Sequence, residues 1–163
     1  MSVLLSPEKI IEIAILFLDG DDFEEVLLDQ MGHTDYDFDK FNRLKAVLLK
    51  VEQLAPELNL GTSLWYTYPT NNRIGAALIA GSTLPLEGCK RQYLGPEIRN
   101  AFMNDCLSEK TRVDGVRSLF APLKNSQDDI VGVLELMVGL KEKKDVSCKD
   151  MFVVPREEED EED

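Results

Sequence analysis

Residue types that commonly build catalytic and metal centres are scarce in this sequence. The 163 residues include a single histidine, His33, and three cysteines at the widely spaced positions Cys89, Cys106 and Cys148. They offer no zinc-ligand spacing, and their odd number does not define a disulfide framework. Glycine-rich nucleotide loops and nucleophile elbows of the forms GxGxxG, GxxxxGK[ST] and GxSxG are also missing. We therefore expect no enzymatic activity.

Long apolar runs are missing as well. The first strongly apolar stretch, residues 10–18, is interrupted by Glu12 and followed by Asp19 and Gly20. It is much shorter than the ~20 residues that a membrane-spanning helix needs. The N-terminus has neither the basic start nor the small-residue cleavage site of a signal peptide. Together with the unpaired cysteines, which suit a reducing compartment, these features predict a cytoplasmic protein without membrane contact.

Positive charge is scarce at both ends of the chain. Residues 10–39 carry ten Asp and Glu but no Lys or Arg, and residues 157–163 are seven consecutive acids. The net charge of −13 disfavours nucleic acid as a partner. Residues 40–156 hold seventeen Lys and Arg against thirteen Asp and Glu, so a mildly basic body lies between two acidic segments. We expect the tail, residues 155–163, to be disordered and solvated.

The N-terminal third predicts three helices. Ser6 and Pro7 are typical of a helix start, and the first helix, residues 7–18, is apolar nearly all round, which predicts that it is buried. Gly20 is expected to end this helix. Asp22 with Glu25 resembles a capping box for a second helix over residues 23–31.

The third predicted helix begins at Asp37 or Asp39 and ends before Pro56. Its apolar residues recur with heptad spacing, as Phe41, Leu44, Leu48 and Val51. Two interpretations stay open: this stripe packs on the domain's own sheet, or it pairs with a second copy in a homodimer. The stripe covers two heptads, fewer than the ~3–4 typical of a coiled coil, which favours the first interpretation.

After Gly61 the pattern changes from helical to β. Residues 63–68 and 73–80 form one predicted hairpin, and residues 116–124 and 130–140 form a second. A helix over residues 96–107 lies between them, with Cys106 expected in the core, and residues 151–154 could add an edge strand. Three helices followed by ββαββ predict an α+β domain with an antiparallel sheet. The expected division is a helical segment (residues 1–58), a sheet domain (59–154) and the tail.

The second hairpin resembles the end of Cache sensor domains. Residues 116–136, VRSLFAPLKNSQDDIVGVLEL, are similar to their strand, "aPl" element, polar turn and "vvGvl" strand, an ending also found in GAF and other PAS-like sensors. The strand WYTYP, the loop over residues 81–95 and the helix that follows are similar too. This resemblance over residues 59–140 implies a PAS-like sheet. It also implies a sensory or regulatory domain that binds a small ligand and signals through its helices.

Cache domains usually lie outside the membrane, between transmembrane helices, and no such helices are expected here. A freestanding cytoplasmic copy is therefore implied, without an attached kinase, cyclase or methyl-accepting segment. A PAS-like layout implies a ligand cavity between the first hairpin and the helix over residues 96–107. Aromatic residues and arginines are the candidate ligand contacts: Trp65, Tyr66, Tyr68, Arg73, Arg91, Tyr93, Arg99 and Arg117. Because a guanidinium binds carboxylate or phosphate bidentately, a small anion is a candidate ligand, with Arg73 and Arg117 expected on adjacent strands.

Chromophores and cations do not fit these residues. A bilin needs a well-placed cysteine, often beside a histidine, and His33 is far from every cysteine. The segment around Cys89 lacks the Asn-Cys-Arg-Phe-Leu-Gln element of flavin photoreceptors, so flavin is a weak option. Acids at positions 35, 37 and 39 match the start of an EF-hand loop, but its glycine and bidentate glutamate are missing. We expect no cofactor and no metal.

A second function is compatible with the same scaffold. Sheets of the profilin and roadblock type often serve only as platforms, so a ligand-free interaction or dimerisation module is the alternative, by fold analogy. A closed, polar-lined cavity would favour the sensor. A sheet face filled by large apolar side chains would favour the interaction module.

Overall fold

Three helices precede the sheet in the computed structural model of this chain. The structure describes residues 5–30, 38–67, 75–81, 92–93 and 96–140. The helices are α1 (Pro7–Phe17), α2 (Gly20–Gln30) and α3 (Phe38–Glu52), and a 3-10 turn (Pro56–Leu58) follows them. Among these described residues, no helix is both long enough and apolar enough to cross a membrane.

An antiparallel sheet of six strands follows the helices. Its strands are β1 (Leu60–Thr67), β2 (Gly75–Gly81), β3 (Gln92–Tyr93), β4 (Ser108–Thr111), β5 (Arg117–Lys124) and β6 (Ile130–Val138), with α4 (Pro96–Asn104) between β3 and β4. The spatial order is β3-β2-β1-β6-β5-β4, which places the last strand at the centre beside the first. The predicted α+β class and antiparallel sheet are confirmed. The structure adds the short strands β3 and β4, one on each side of α4.

Helix α1 begins as predicted but is only half buried. The Ser6 side chain accepts a hydrogen bond from the backbone N–H of Lys9 at 3.1 Å, and Pro7 occupies the first turn. Ile10, Ile11 and Ala14 are buried, whereas Leu16 is 81% exposed and Phe17 is 69% exposed. The prediction of a helix buried on all sides is wrong, because the sheet covers only one of its faces.

The cap of α2 is Asp19, not the predicted pair of Asp22 and Glu25. The Asp19 carboxylate accepts hydrogen bonds from the backbone N–H groups of Asp21 and Asp22, at 2.9 and 3.2 Å. The helix therefore begins at Gly20 instead of following it. A Cβ at position 20 would collide with the carbonyl oxygen of Lys124, so glycine permits the close approach of α2 to the end of β5.

The heptad stripe of α3 packs on the chain's own sheet. Phe41, Leu44, Leu48 and Val51 are all buried, in one apolar cluster with Leu60, Leu64, Leu134 and Leu136 of the sheet. A homodimer through this stripe is not supported, because its side chains are not at the surface. Leu119 is also fully buried, so the predicted burial of Leu119, Leu134 and Leu136 is confirmed.

Helix α4 covers the opposite face of the sheet. Side chains alternate along β6, so Leu134 and Leu136 contact the α1–α3 layer while Val133, Glu135 and Met137 point to the other side. Ile98 and Ala101 are the buried residues of α4. The helix ends at Asn104, and Cys106 beyond it is exposed; the predicted core position of Cys106 is therefore wrong. The expected edge strand over residues 151–154 and the tail lie outside the described residues.

Candidate functional site

The predicted ligand contacts do not form one cluster among the described residues. Trp65 is fully buried in β1, Arg99 is exposed on α4, and Arg117 is half-buried at the start of β5. Tyr66 and Tyr93 lie in β1 and β3, and their side chains are outside the described part of the structure. The remaining predicted contacts also lie outside it: Tyr68, Arg73 and Arg91.

Arg117 already has two carboxylate partners. Its Nη2 lies 3.1 Å from Oε2 of Glu8 on α1, and its Nε donates to Oε2 of Glu109 on β4 at 2.6 Å. The hydrogen bond from Arg117 lowers the pKa of the Glu109 carboxyl. Arg117 therefore joins α1 to the edge of the sheet. Arg73 lies outside the described residues, so its expected position on a strand adjacent to that of Arg117 stays a prediction.

The sheet face beneath α4 is filled. Trp65 and Val133 are fully buried there, and Phe120 and Met137 are at most 6% exposed. Ile98 and Ala101 of α4 pack over this face. In this described part of the face, large apolar side chains fill the layer beneath α4. The predicted cavity between the first hairpin and this helix stays a prediction, because the side chains of β2 and residues 82–91 lie outside the described residues.

A carboxyl group lies within that apolar layer. Glu135 on β6 is 5% exposed. Its Oε1 accepts a hydrogen bond from the Trp65 indole Nε1 at 2.9 Å, and its Oε2 accepts one from the Ser118 hydroxyl at 2.7 Å. Burial raises the pKa of Glu135, and the hydrogen bonds from Ser118 and Trp65 act in the opposite direction. The two donors explain how a carboxyl is accommodated in an apolar layer.

A second hydroxyl lies beside this cluster without a partner. Ser63 is the cross-strand neighbour of Glu135, and its Oγ is buried without a hydrogen bond in the described structure. Most buried hydroxyl groups are paired, so this position is unusual. The sequence analysis missed both residues. The available signal was Glu135 itself, the single charge in the strand sequence IVGVLELMV.

An open groove runs along the outer edge of β5. One wall of the groove is α1 from Ile11 onward, and the other wall is the segment that follows α4. The end of β5 forms the floor. The lining residues are Ile11, Glu12, Ile15, Leu16, Asp105, Cys106, Leu107, Ala121, Pro122, Leu123 and Lys124. The groove has a volume of about 740 Å³ and is largely apolar. Leu16 and Leu107 are both exposed within it.

The groove exists because β4 is shorter than β5. The last residue pair between them is Ser108 with Phe120, so within the described residues the outer edge of β5 has no strand partner beyond Phe120. Lys124 lies at the end of this edge, 2.9 Å from Asp105 and 3.7 Å from Asp128. Glu12 also lines the groove, where Lys9 lies 3.4 Å from it, so the carboxylates of the rim outnumber the cations by one.

No protein-family model matches this chain, and no curated protein matches it. Within the described ranges, no group of three or more His, Cys, Asp or Glu side chains could hold a metal ion. Two features of the described residues therefore bear on function: the filled sheet face beneath α4 and the open groove along β5.

Proposed function

We propose that this chain is a protein-interaction module in which the sheet is the scaffold and the groove along β5 is the binding surface. The contrast between the two surfaces carries the proposal. The face beneath α4 has its large side chains buried, whereas Leu16 and Leu107, which line the groove, are 81% and 48% exposed. Neighbouring exposed apolar side chains are typical of interaction sites.

The scaffold in this proposal is of the PAS or profilin type. Two antiparallel hairpins with a helix between them support it, together with the central position of β6 beside β1. A cytoplasmic location belongs to the same proposal. It is supported by the widely spaced cysteines, which suit a reducing compartment.

A small-ligand sensor is the second candidate, and one observation favours it. The buried Ser63 hydroxyl has no hydrogen bond in the described structure, and a polar ligand group could supply one. The Arg117 side chain does not add to this candidate, because Glu8 and Glu109 already bind it. We place the sensor second for that reason and because Trp65 is already bonded to Glu135.

Selection from a random peptide library displayed on phage, with the full chain as bait, tests the first proposal. Selected peptides are then measured against the wild type, the double variant Leu16→Ser/Leu107→Ser, and Val113→Ser. Val113 is a fully exposed apolar residue in the β4–β5 turn, at the opposite end of β5. We expect the double variant to lose at least about tenfold in affinity, equivalent to about 1.4 kcal/mol, while Val113→Ser binds as the wild type does.

The sensor candidate is tested by a thermal-shift screen of small metabolites. Two results together would make the sensor the first candidate. A ligand would stabilise the wild type but not Ser63→Ala, and the selected peptides would bind the groove variant as tightly as the wild type.

A further inference from the structure

We infer that the groove along β5 binds an amphipathic helix of a partner protein, with Lys and Arg residues flanking the helix's apolar face. This inference rests on the proposed function and names the chemistry of the partner. Three features of the groove carry it: the proline in its floor, the helical spacing of its apolar wall, and the charge of its rim.

The floor disfavours a partner that adds a strand to the sheet. The Val116 carbonyl accepts a hydrogen bond from the Arg112 N–H on the β4 side of β5. Backbone N–H and C=O groups of successive residues point to alternate sides of a strand, so the backbone nitrogen of Pro122, six residues after Val116, points to that same outer side. Proline has no N–H, so a strand added beyond Phe120 would lack a ladder hydrogen bond there. Binding must therefore depend on side chains rather than on backbone pairing.

The walls suit a helix instead. Ile11 and Ile15, and likewise Glu12 and Leu16, are four residues apart on α1, so they form parallel rows of side chains along the groove. Rows of this kind pack against the rows of a second helix. The opposite wall, with Leu107, and the floor, with Leu123, would contact the other side of the bound helix. About two turns, with three to four apolar residues, would fill such a groove.

The rim selects for positive charge in the partner. Glu12, Asp105 and Asp128 have exposed carboxylates; Lys9 lies 3.4 Å from Glu12, and Lys124 lies between the other two, so the acids of the rim still outnumber its cations. Residues 10–39, which include most of α1 and all of α2, contain ten acids and no Lys or Arg. Lys and Arg beside the partner's apolar face would lie within a Debye length of this charge, about 10 Å at moderate salt.

The same charge disfavours two other occupants. A second copy of the chain would bring its own acidic α1 and α2 to the groove. The chain's own apolar residues 151–154 are followed closely by seven consecutive acids, residues 157–163. Both would place negative charge against negative charge.

Three synthetic peptides of equal length test the inference by fluorescence anisotropy with the full chain. The first is an amphipathic helix with leucines on one face and Lys or Arg elsewhere, the second replaces those cations with Glu, and the third alternates Leu and Lys as a strand. We expect the basic helix to bind at least about tenfold more tightly than either other peptide. Its affinity should fall about threefold or more when salt rises tenfold, because the charges are screened.

Four variants identify the binding surface. Leu16→Ser should weaken the basic helix at least about tenfold, and Glu12→Gln about twofold to threefold. The matched controls are Val113→Ser, which is apolar and exposed elsewhere, and Glu57→Gln, an exposed acid in the 3-10 turn; both should bind as the wild type does.

The outcomes separate the inference from the proposed function. If the acidic helix or the strand peptide bound more tightly than the basic helix, and Leu16→Ser weakened that binding, the inferred partner chemistry would be wrong and the proposed interaction function would still be supported. An absence of Leu16-dependent binding by any peptide would overturn both. A dimer in light scattering that Leu16→Ser dissociates would assign the groove to a second copy. Tighter peptide binding by Phe152→Ser would assign it to the chain's own segment, and either result would overturn the inference.

Discussion

The indole of Trp65 and the carboxyl of Glu135, 70 residues apart in the sequence, are joined by a buried hydrogen bond of 2.9 Å. They lie on the two central strands of the sheet, on the face that α4 covers. Ser118 on β5 donates to the other carboxyl oxygen at 2.7 Å. One carboxyl thus links three neighbouring strands, and its protonation is coupled to the stability of the sheet.

Glu135→Gln should stabilise the protein by an amount that increases with pH. Burial raises the pKa of Glu135 above 4.5, so the folded protein binds more protons than the unfolded chain between that value and the raised pKa. Stability from this residue is complete below pH 4.5 and is lost as pH rises through the folded pKa. The amide oxygen of Gln can accept from the indole while its N–H₂ donates to Ser118, and it does not ionise.

Urea unfolding of both proteins from about pH 5 to about pH 8 measures this difference. Subtracting the two curves cancels other carboxylates, among them Glu109 and Asp114, whose pKa values arginine partners lower. A difference that stays constant over the range, or decreases with pH, would contradict a raised pKa at Glu135.

Two buried serines on the same sheet face should respond oppositely to alanine. Ser118→Ala removes a donor from the buried carboxyl and should cost about 1–3 kcal/mol, because an acceptor is left unsatisfied. Ser63→Ala removes a hydroxyl with no hydrogen bond in the described structure and should be neutral or stabilising. Fluorescence of Trp65, the single tryptophan, reports unfolding of both variants. An equal loss in Ser63→Ala would show that its hydroxyl has a partner in solution.

Local sequence signals predicted much of the secondary structure. Ser6 and Pro7 mark the start of α1, and Asn125 organises the β5–β6 turn, where its side-chain oxygen accepts from the N–H groups of Gln127 and Asp129. Such bonds form within a few residues, so the sequence itself contains the signal. Asp19 carried the same kind of signal for α2, but Asp22 with Glu25 offered a competing cap.

The site depended on contacts between distant residues. The sequence of α1 does not reveal whether its exposed face is covered, because that depends on the length of β4. The pairing of Trp65 with Glu135 depends on the β1–β6 register, which periodicity alone does not define. Trp65 was predicted as a ligand contact, which stays a prediction, whereas its hydrogen-bond partner Glu135 was missed.

Gly132→Ala should destabilise the sheet through a close approach that only the folded structure shows. A Cβ at position 132 would overlap the Phe23 ring of α2 and lie 2.9 Å from the carbonyl oxygen of Trp65. Overpacking of this kind costs typically about 1–3 kcal/mol. Phe23→Leu removes the ring atoms, so the double variant should be more stable than the sum of the two single losses predicts, by about 0.5 kcal/mol or more. Strictly additive losses in urea unfolding would mean that helix α2 does not limit position 132.

Leu48 and Leu49, adjacent in α3, separate the two interpretations of the heptad stripe. Leu48 is fully buried against the sheet, whereas Leu49 is 49% exposed. Leu48→Ala should therefore cost about 2–5 kcal/mol of unfolding free energy through the cavity it creates. Leu49→Ala should change it by no more than about 0.5 kcal/mol. Because Leu48 packs inside the chain, light scattering should give the same mass for both variants as for the wild type. If Leu48→Ala instead reduced a dimer to monomers of undiminished stability, the stripe would be an interface between copies.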